Sequence, residues 1–467
     1  MPPSLALAIC AIFVIGLLLI ERRDPYTLSG AVWIPTLWML WISSKPIATW
    51  FGVGDEEAST PDQIFGLCLL VAGMASILKS RSVSIATMLR SSVWLCLFLT
   101  YSLVSVFWAD DSFVALKRWG REVLAVVMAL VICNQQNPFQ AMRRLLRRAV
   151  FVLIPVSLLL IKYYPTMGVQ YRKLGGQMWI GAAMQKNSLG RLCAVALLFG
   201  FWSLYQGHRD HLASRGMAQV AADIVVLVLA AFLLAGPGDD QYSATALVSL
   251  ATGILTIMGL EAMRRWRMRV PASMLMFVTA VIIAVGTIEP FLGGSTVATV
   301  SEDLGRNTTL TGRTEIWEGL IPDVMRQPFL GSGFASFWTP KTRDEHEIGE
   351  AHNGYLEVLL DRGSIGILLL AFTLIGFARK SYRALASDFA WGTLSFSLLV
   401  LTLVHNYTES SINSFASTLP AILLLFAFAS DGQRLHAPAA GTHPPVSGFA
   451  SSASPRSRGR HTPSTRA

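Results

Sequence analysis

Long apolar runs recur along this chain of 467 residues and constrain its fold more than any other feature. Each run approaches the about 20 residues that an α-helix needs to cross a bilayer core of roughly 30 Å. Hydrophobic residues make up 53% of the sequence, charged residues only 14%, and the mean hydropathy is +0.50. A soluble core of this size cannot bury that much apolar surface. The sequence therefore predicts an all-α, polytopic membrane protein.

Thirteen apolar segments are candidate membrane-spanning helices, and the predicted count is twelve to thirteen because the first two are the weakest. The first run lacks the basic region and the small-residue cleavage site of a signal peptide, so it is interpreted as a helix. The segments lie near residues 4–20, 27–44, 62–78, 91–107, 120–133, 149–162, 188–205, 218–235, 243–260, 272–289, 363–378, 390–405 and 413–429.

The charges between these segments alternate, which predicts the orientation of the chain. Loops after the odd-numbered segments carry the basic residues, such as Arg143 and Arg144, and are predicted to be cytoplasmic. The other loops carry acidic residues, such as Asp110 and Asp111, and are predicted to lie outside together with residues 290–352. The net charge of +9 thus has a topological cause, and no nucleic-acid partner is predicted.

One long polar interval divides the chain into four predicted parts. Residues 1–289 form N-terminal transmembrane helices, and residues 290–362 form a large helical periplasmic loop. Residues 363–429 form C-terminal transmembrane helices. Residues 430–467 are rich in Ala, Pro, Ser, Gly and Arg, a composition that predicts a disordered cytoplasmic tail.

The polar interval contains three local signals. Apolar residues at helical spacing predict a short amphipathic helix that begins near Arg313 and ends at Pro322. The glycines of LGSGF, residues 330–334, predict a tight turn. A second helix leads from His352 into the next apolar segment, where Gly363 allows close packing or a kink.

No metal or other cofactor is predicted. The five cysteines all lie in apolar runs without the CxxC spacing of a redox or zinc site. Asp110 and Asp111 are adjacent, so in an extended segment they point apart and do not pair around a divalent cation.

His352 begins the pattern H-N-x9-G-x-x-G, which ends in GSIG at residues 363–366. This pattern resembles the signature of the O-antigen ligase and polysaccharide polymerase superfamily. GRTEIW at 312–317 and PFLGSGF at 328–334 resemble that family's preceding loop motifs. Within the superfamily the likeness is strongest to ExoQ-type exopolysaccharide production proteins, whose lesser motifs resemble FWADDS at 107–112, MQKNSLG at 184–190 and HNYTESS at 405–411.

The resemblance implies a GT-C-like all-α membrane enzyme of the bacterial inner membrane, with its active site on the periplasmic side. Such enzymes transfer a glycan from a polyprenyl-pyrophosphate carrier to an acceptor glycan in contact with the lipid bilayer. Polymerases of this kind commonly work beside a flippase and a chain-length copolymerase. The implied reaction is a metal-independent, inverting glycosyl transfer.

The departing pyrophosphate needs fixed cations, and the histidine suits an acid–base role. His352 is the candidate base for the acceptor hydroxyl, Arg313 a candidate phosphate contact, and Glu409 a candidate partner of His352 or of the sugar. Asn353 is a candidate for holding a sugar hydroxyl or fixing the imidazole tautomer. Four further basic residues are candidate substrate contacts, namely Lys186, Arg191, Arg172 and Lys173.

Three functions are compatible with these residues. A polymerase of lipid-linked repeat units is favoured, and a ligase that moves glycan to lipid A core or to a protein is the alternative. A transporter or flippase is disfavoured because paired inverted repeats and charges at mid-membrane depth are lacking in the sequence.

Overall fold

The computed structural model describes residues 1–22, 28–52, 59–80, 85–171, 176–209, 216–236, 243–293 and 311–436. Most of these residues are helical, as the long apolar runs predict. In the first half, the helices are α1 (Pro3–Glu21), α2 (Trp33–Ile42), α3 (Ile47–Trp50), α4 (Thr60–Ser80), α5 (Ile85–Ser91), α6 (Val93–Val104), α7 (Ser112–Cys133), α8 (Pro138–Tyr163) and α9 (Pro165–Gly168).

The second half continues in the same way. Its helices are α10 (Lys186–Arg209), α11 (Met217–Ala235), α12 (Ala244–Arg265), α13 (Ala272–Ile288), α14 (Thr311–Arg326), α15 (Pro340–His346), α16 (Gly354–Ser387), α17 (Phe389–His405) and α18 (Thr418–His436). Between α9 and α10, two short strands pair antiparallel, β1 (Val169–Tyr171) and β2 (Gln177–Trp179), with Val169 opposite Trp179. This hairpin was not predicted.

The all-α membrane fold is confirmed, and each of the thirteen predicted segments falls on a helix. Among the described residues, seven helices are long and apolar enough to cross a membrane by length and composition: α1, α4, α10, α11, α12, α13 and α16. The other predicted segments fall on shorter or less apolar helices.

Buried ion pairs connect the helices at one end of the bundle. Lys380 of α16 contacts Asp431 of α18 at 2.6 Å, and Arg148 of α8 contacts Glu21 of α1 at 3.1 Å. At the same end, Trp202 of α10 donates a hydrogen bond to the carbonyl of Ala390 at the start of α17. The loops that the charge pattern assigns to one side of the membrane therefore lie together.

At the opposite end, the predicted glycine turn packs against a break in α16. Gly331 and Gly333 have φ angles of +66° and +102°, and the amides of Ser332 and Gly333 donate to the carbonyls of Leu360 and Asp361. Gly363 breaks the helix with φ 60° and ψ −164°. The predicted turn and the predicted kink thus pack against each other. Their contact fixes the direction in which α16 continues after Gly363.

Two predicted boundaries are wrong. Pro322 does not end the amphipathic helix, because α14 continues through it to Arg326. A proline removes only one backbone hydrogen bond, and packing of the buried Trp317 and Leu320 before it and of the buried Val324 after it holds the helix on both sides. Likewise α18 extends past Ser430 to His436, since Asp431 is held by Lys380; residues 437–467 lie outside the described residues.

The break at Gly363 gives a testable stability prediction. A side chain at this position meets a backbone conformation that costs about 1–3 kcal/mol, and its Cβ would lie 2.3 Å from the carbonyl carbon of Phe329. Gly363→Ala should lower the melting temperature of the purified protein sharply. Gly376→Ala is the matched control in the same helix, because a Cβ there meets nothing within 4 Å. Equal melting temperatures for the two variants would contradict the assignment.

Candidate functional site

The segment that carries His352 is held by its neighbour Ala351. The amide of Ala351 donates to Oε1 of Glu357 at 2.7 Å, and its carbonyl accepts from Nε1 of Trp317 at 3.0 Å. His352 itself adopts a left-handed φ of 50°, which is uncommon outside glycine. Its side chain is 29% exposed, so the imidazole is fixed at its base and open at its tip.

Asn353 is fully buried and caps the start of α16. Its side-chain oxygen accepts from the amides of Tyr355 and Leu356, both at 2.9 Å. Its side-chain nitrogen donates to the carbonyls of Gly286 and Tyr407. Each polar atom of this amide is thus engaged by the protein, and the structure gives Asn353 a use other than the predicted sugar contact.

Arg313 and Glu409 meet although 96 residues separate them in the sequence. Nη2 of Arg313 lies 2.7 Å from Oε1 of Glu409, and both side chains are largely buried. Nδ2 of Asn187 donates to the same carboxylate oxygen at 2.6 Å, and Oγ of Ser243 donates to Oδ1 of Asn187 at 3.2 Å. Asn187 belongs to the sequence motif at 184–190, but neither this residue nor Ser243 was predicted to contribute to the site.

The remaining predicted cations divide into two groups. Lys186 and Arg191 lie at the start of α10, and both act electrostatically on Glu409. Nη2 of Arg191 also lies 3.3 Å from Oγ of Ser188. Arg172 and Lys173 fall outside the described residues, so their predicted role stays a prediction.

The loop after α17 is fastened to the His352 segment. The amide of Gly354 donates to the carbonyl of Asn406 at 2.9 Å. Oδ1 of Asn406 accepts from the amides of Ser411 and Ile412, both at 2.8 Å. This double attachment sets the position of Glu409, which lies within the same loop.

The electrostatic environment keeps the imidazole neutral. Burial and, to a smaller extent, the positive charge of Arg313 lower the pKa of His352 to about 4. Burial raises the pKa of the Glu409 carboxyl to about 7 against the opposing effect of Arg313, while Glu350 adds to the rise. Burial also lowers the pKa of Arg313. A neutral imidazole therefore faces an arginine that stays charged.

The sequence suggested no metal-ligand triad, and here the structure differs. One ligand atom each from Glu350, His352 and Glu409 lie within 4.8 Å of one another. Nδ1 of His352 is 3.3 Å from Oε1 of Glu350, without the alignment of a hydrogen bond. Sequence spacing could not show this cluster, because Glu409 comes from a loop between two other helices.

The fold is that of a multi-pass, all-α membrane protein. Residues 224–371 match the family model described as "O-Antigen ligase". This match includes Arg313 and His352, whereas Lys186, Arg191 and Glu409 lie outside it. The family resemblance predicted from the sequence is confirmed.

A curated relative makes the likeness more specific. Over 313 residues the chain is 26% identical to the exopolysaccharide production protein ExoQ of Rhizobium meliloti (strain 1021). The alignment covers 64% of this chain and 67% of that protein. The chain is therefore similar to an ExoQ protein, as its motifs predicted.

Removing the charge of Arg313 should shift the titration of the site. Arg313→Gln should raise the pKa of His352 above its value of about 4, because a nearby positive charge no longer opposes protonation. The pH dependence of diethylpyrocarbonate modification at the His352 peptide, followed by mass spectrometry, measures this value. Arg326→Gln is the control, since Arg326 lies on the same helix and is 76% exposed. An unchanged His352 titration in Arg313→Gln would disprove the coupling.

Proposed function

We propose that this protein is a polysaccharide polymerase that joins polyprenyl-pyrophosphate-linked oligosaccharide repeat units at the periplasmic face of the bacterial inner membrane. The observation that carries the proposal is a fixed, neutral His352 beside a cluster of arginine and lysine side chains at one end of a membrane bundle. The donor's charged diphosphate and the acceptor's hydroxyl then have separate partners in one pocket.

Charge balance supports an anionic donor. Three cations, Arg313, Arg191 and Lys186, act on Glu409, as does one further carboxylate, that of Glu350. Among the described residues in this group, three positive charges stand against two negative ones, which is a positive excess. Because Arg313 and Glu409 are largely buried, the field there is less screened than at an exposed surface. A diphosphate is the part of the donor that such a field would hold.

His352 is proposed to accept the proton of the acceptor hydroxyl. The hydroxyl oxygen attacks the anomeric carbon, the bond from that carbon to the diphosphate oxygen breaks, and the diphosphate leaves with the bonding electrons. The proton passes to His352. The lowered pKa leaves the imidazole unprotonated before reaction, and a bound diphosphate offsets the charge of Arg313 that opposes proton uptake.

A single displacement would invert the anomeric centre. The alternative, a covalent glycosyl intermediate, needs a side-chain nucleophile, such as a carboxylate, positioned to attack the anomeric carbon. Oε1 of Glu409 instead accepts hydrogen bonds from Arg313 and Asn187. These contacts support the inverting course, in which Glu409 orients Arg313 rather than attacking the sugar.

The same charges support a metal-independent transfer. A divalent cation at Glu350, His352 and Glu409 would stand beside the guanidinium of Arg313, which already lies 2.7 Å from Glu409. Repulsion between the two cations disfavours simultaneous occupancy, and the arginine performs the charge neutralisation that a metal would otherwise supply.

A ligase is the second candidate function, because the matching family model is described as O-antigen ligase. Its proposed chemistry at His352 is identical, and the acceptor alone differs. A polymerase is proposed first because the likeness to ExoQ, an exopolysaccharide production protein, extends over 313 residues. A flippase and a chain-length copolymerase are the proposed partners.

Loss of the base tests the proposal. The protein in nanodiscs is given lipid-linked repeat units from its own host, and polymer length is read on gels. His352→Ala should lower turnover by about 10²–10⁴-fold, the usual contribution of a positioned base. His346→Gln should leave turnover nearly unchanged, because His346 is not part of this cluster. Its Nε2 lies 2.9 Å from Oδ2 of Asp323. Normal polymer from correctly inserted His352→Ala would refute the mechanism. Wild-type protein that transfers glycan only when lipid A core is added as acceptor would favour the ligase.

Chelation tests the metal-independent course separately. Turnover in excess EDTA should remain within about twofold of the untreated rate, since no step depends on a divalent cation. The same assay with added Mg²⁺ provides the comparison. Activity that disappears with EDTA and returns with Mg²⁺ would show that the Glu350–His352–Glu409 cluster holds a metal.

A further inference from the structure

His405 is a buried histidine that the proposed mechanism does not use. It is the last residue of α17, and its side chain has no solvent exposure. Neither Nδ1 nor Nε2 has a hydrogen-bond partner among the described residues. Buried polar groups are normally hydrogen-bonded, so an imidazole with two unpartnered nitrogens is the kind of group that a ligand or an ordered water completes.

Helix packing places His405 beside the pocket. Helices α10 and α17 run antiparallel, since Trp202 near the end of α10 bonds to Ala390 at the start of α17. The opposite ends, with Arg191 and His405, therefore lie at the same level. The guanidinium groups of Arg191 and Arg313 are close enough to act electrostatically on the imidazole ring. His405 thus lies on the membrane side of the proposed phosphate pocket.

The charged neighbours of His405 cannot satisfy its N–H group. A guanidinium offers only donors, and a neutral imidazole carries one donor that needs an acceptor. Oε1 of Glu409, the carboxylate oxygen that Arg313 contacts, already takes bonds from Arg313 and Asn187. Nε of Arg191 is likewise buried and without a hydrogen-bond partner among the described residues. Two N–H donors in one region therefore lack an acceptor, which is the complement of an oxygen-rich anion.

We propose that His405 is a leaving-group-binding residue that donates its N–H to a diphosphate oxygen of the lipid-linked donor, together with Nε of Arg191. This inference rests on the proposed function and assigns to that site a second histidine with a different task. His352 accepts a proton from the acceptor, whereas His405 stabilises the departing diphosphate from the membrane side. The donation strengthens as negative charge grows on the leaving oxygen.

Binding of two prenyl probes tests the assignment without requiring turnover. The full-length protein in nanodiscs is titrated with farnesyl diphosphate and with farnesyl monophosphate, and the ratio of the two affinities is the readout. His405→Phe should lower affinity for the diphosphate by about tenfold or more, the usual effect of removing a hydrogen bond to a charged group, and should lower the ratio. His405→Gln retains an N–H donor and should keep the ratio within about threefold of wild type.

The controls separate binding from folding. Ser397→Ala changes another buried, unpartnered polar group on α17 and should leave the ratio unchanged. Misfolding would weaken the binding of both probes to the same extent and so would not change the ratio of the two affinities. An unchanged ratio in His405→Phe would show that this histidine is structural only.

Failure of this inference is distinguishable from failure of the proposed function. If turnover depends on His352 but His405→Phe leaves the affinity ratio unchanged, glycan transfer is supported and the assignment of His405 is wrong. If the affinity ratio depends on His405 but no glycan is transferred, the diphosphate site is supported and the polymerase proposal is wrong. Wild-type protein that does not distinguish the two probes overturns the assignment of His405.

Discussion

The contact between Gly354 and Asn406 holds the candidate site together. A Cβ at Gly354 would lie 2.5 Å from Oδ1 of Asn406, so the two segments approach as closely as a glycine permits. The amide of Gly354 donates to the carbonyl of Asn406, and Nδ2 of Asn353 donates to the carbonyl of Tyr407. These bonds bring His352 and Glu409 into one pocket, because each lies within three residues of the contact.

The ion pair between Arg313 and Glu409 compensates for the burial of a charged guanidinium. Removing a guanidinium from water is costly unless a partner compensates, and breaking a buried pair by removing one member usually costs about 3–5 kcal/mol. Glu409 therefore stabilises Arg313 in the absence of substrate. A diphosphate offers the same guanidinium an alternative anion, so an exchange of partners upon binding would avoid leaving the arginine unpaired.

Much of the fold, but less of the site, could be predicted from the sequence. The long apolar runs predicted the positions of the helices. The glycines predicted the turn at 330–334 and the break at Gly363, because a turn and a helix break each depend on local backbone chemistry. The capping role of Asn353 and the contact between Asn187 and Glu409 depend on loops far apart in the sequence. The cluster of Glu350, His352 and Glu409 depends on the same long-range packing. Pro322 was misjudged because tertiary contacts outweighed a local rule.

The two ends of the bundle use buried charge in opposite ways. At the end with Lys380 and Asp431, the cation and the carboxylate lie 2.6 Å apart, and Ser92 accepts a further bond from the lysine. This arrangement neutralises the charge and ties α16 to α18. At the other end, Arg313 shares Glu409 with Asn187, and Nε of Arg191 lacks a partner among the described residues. A positive excess with incomplete hydrogen bonding favours binding of an anion over joining of helices, which supports the proposed placement of the chemistry at that end.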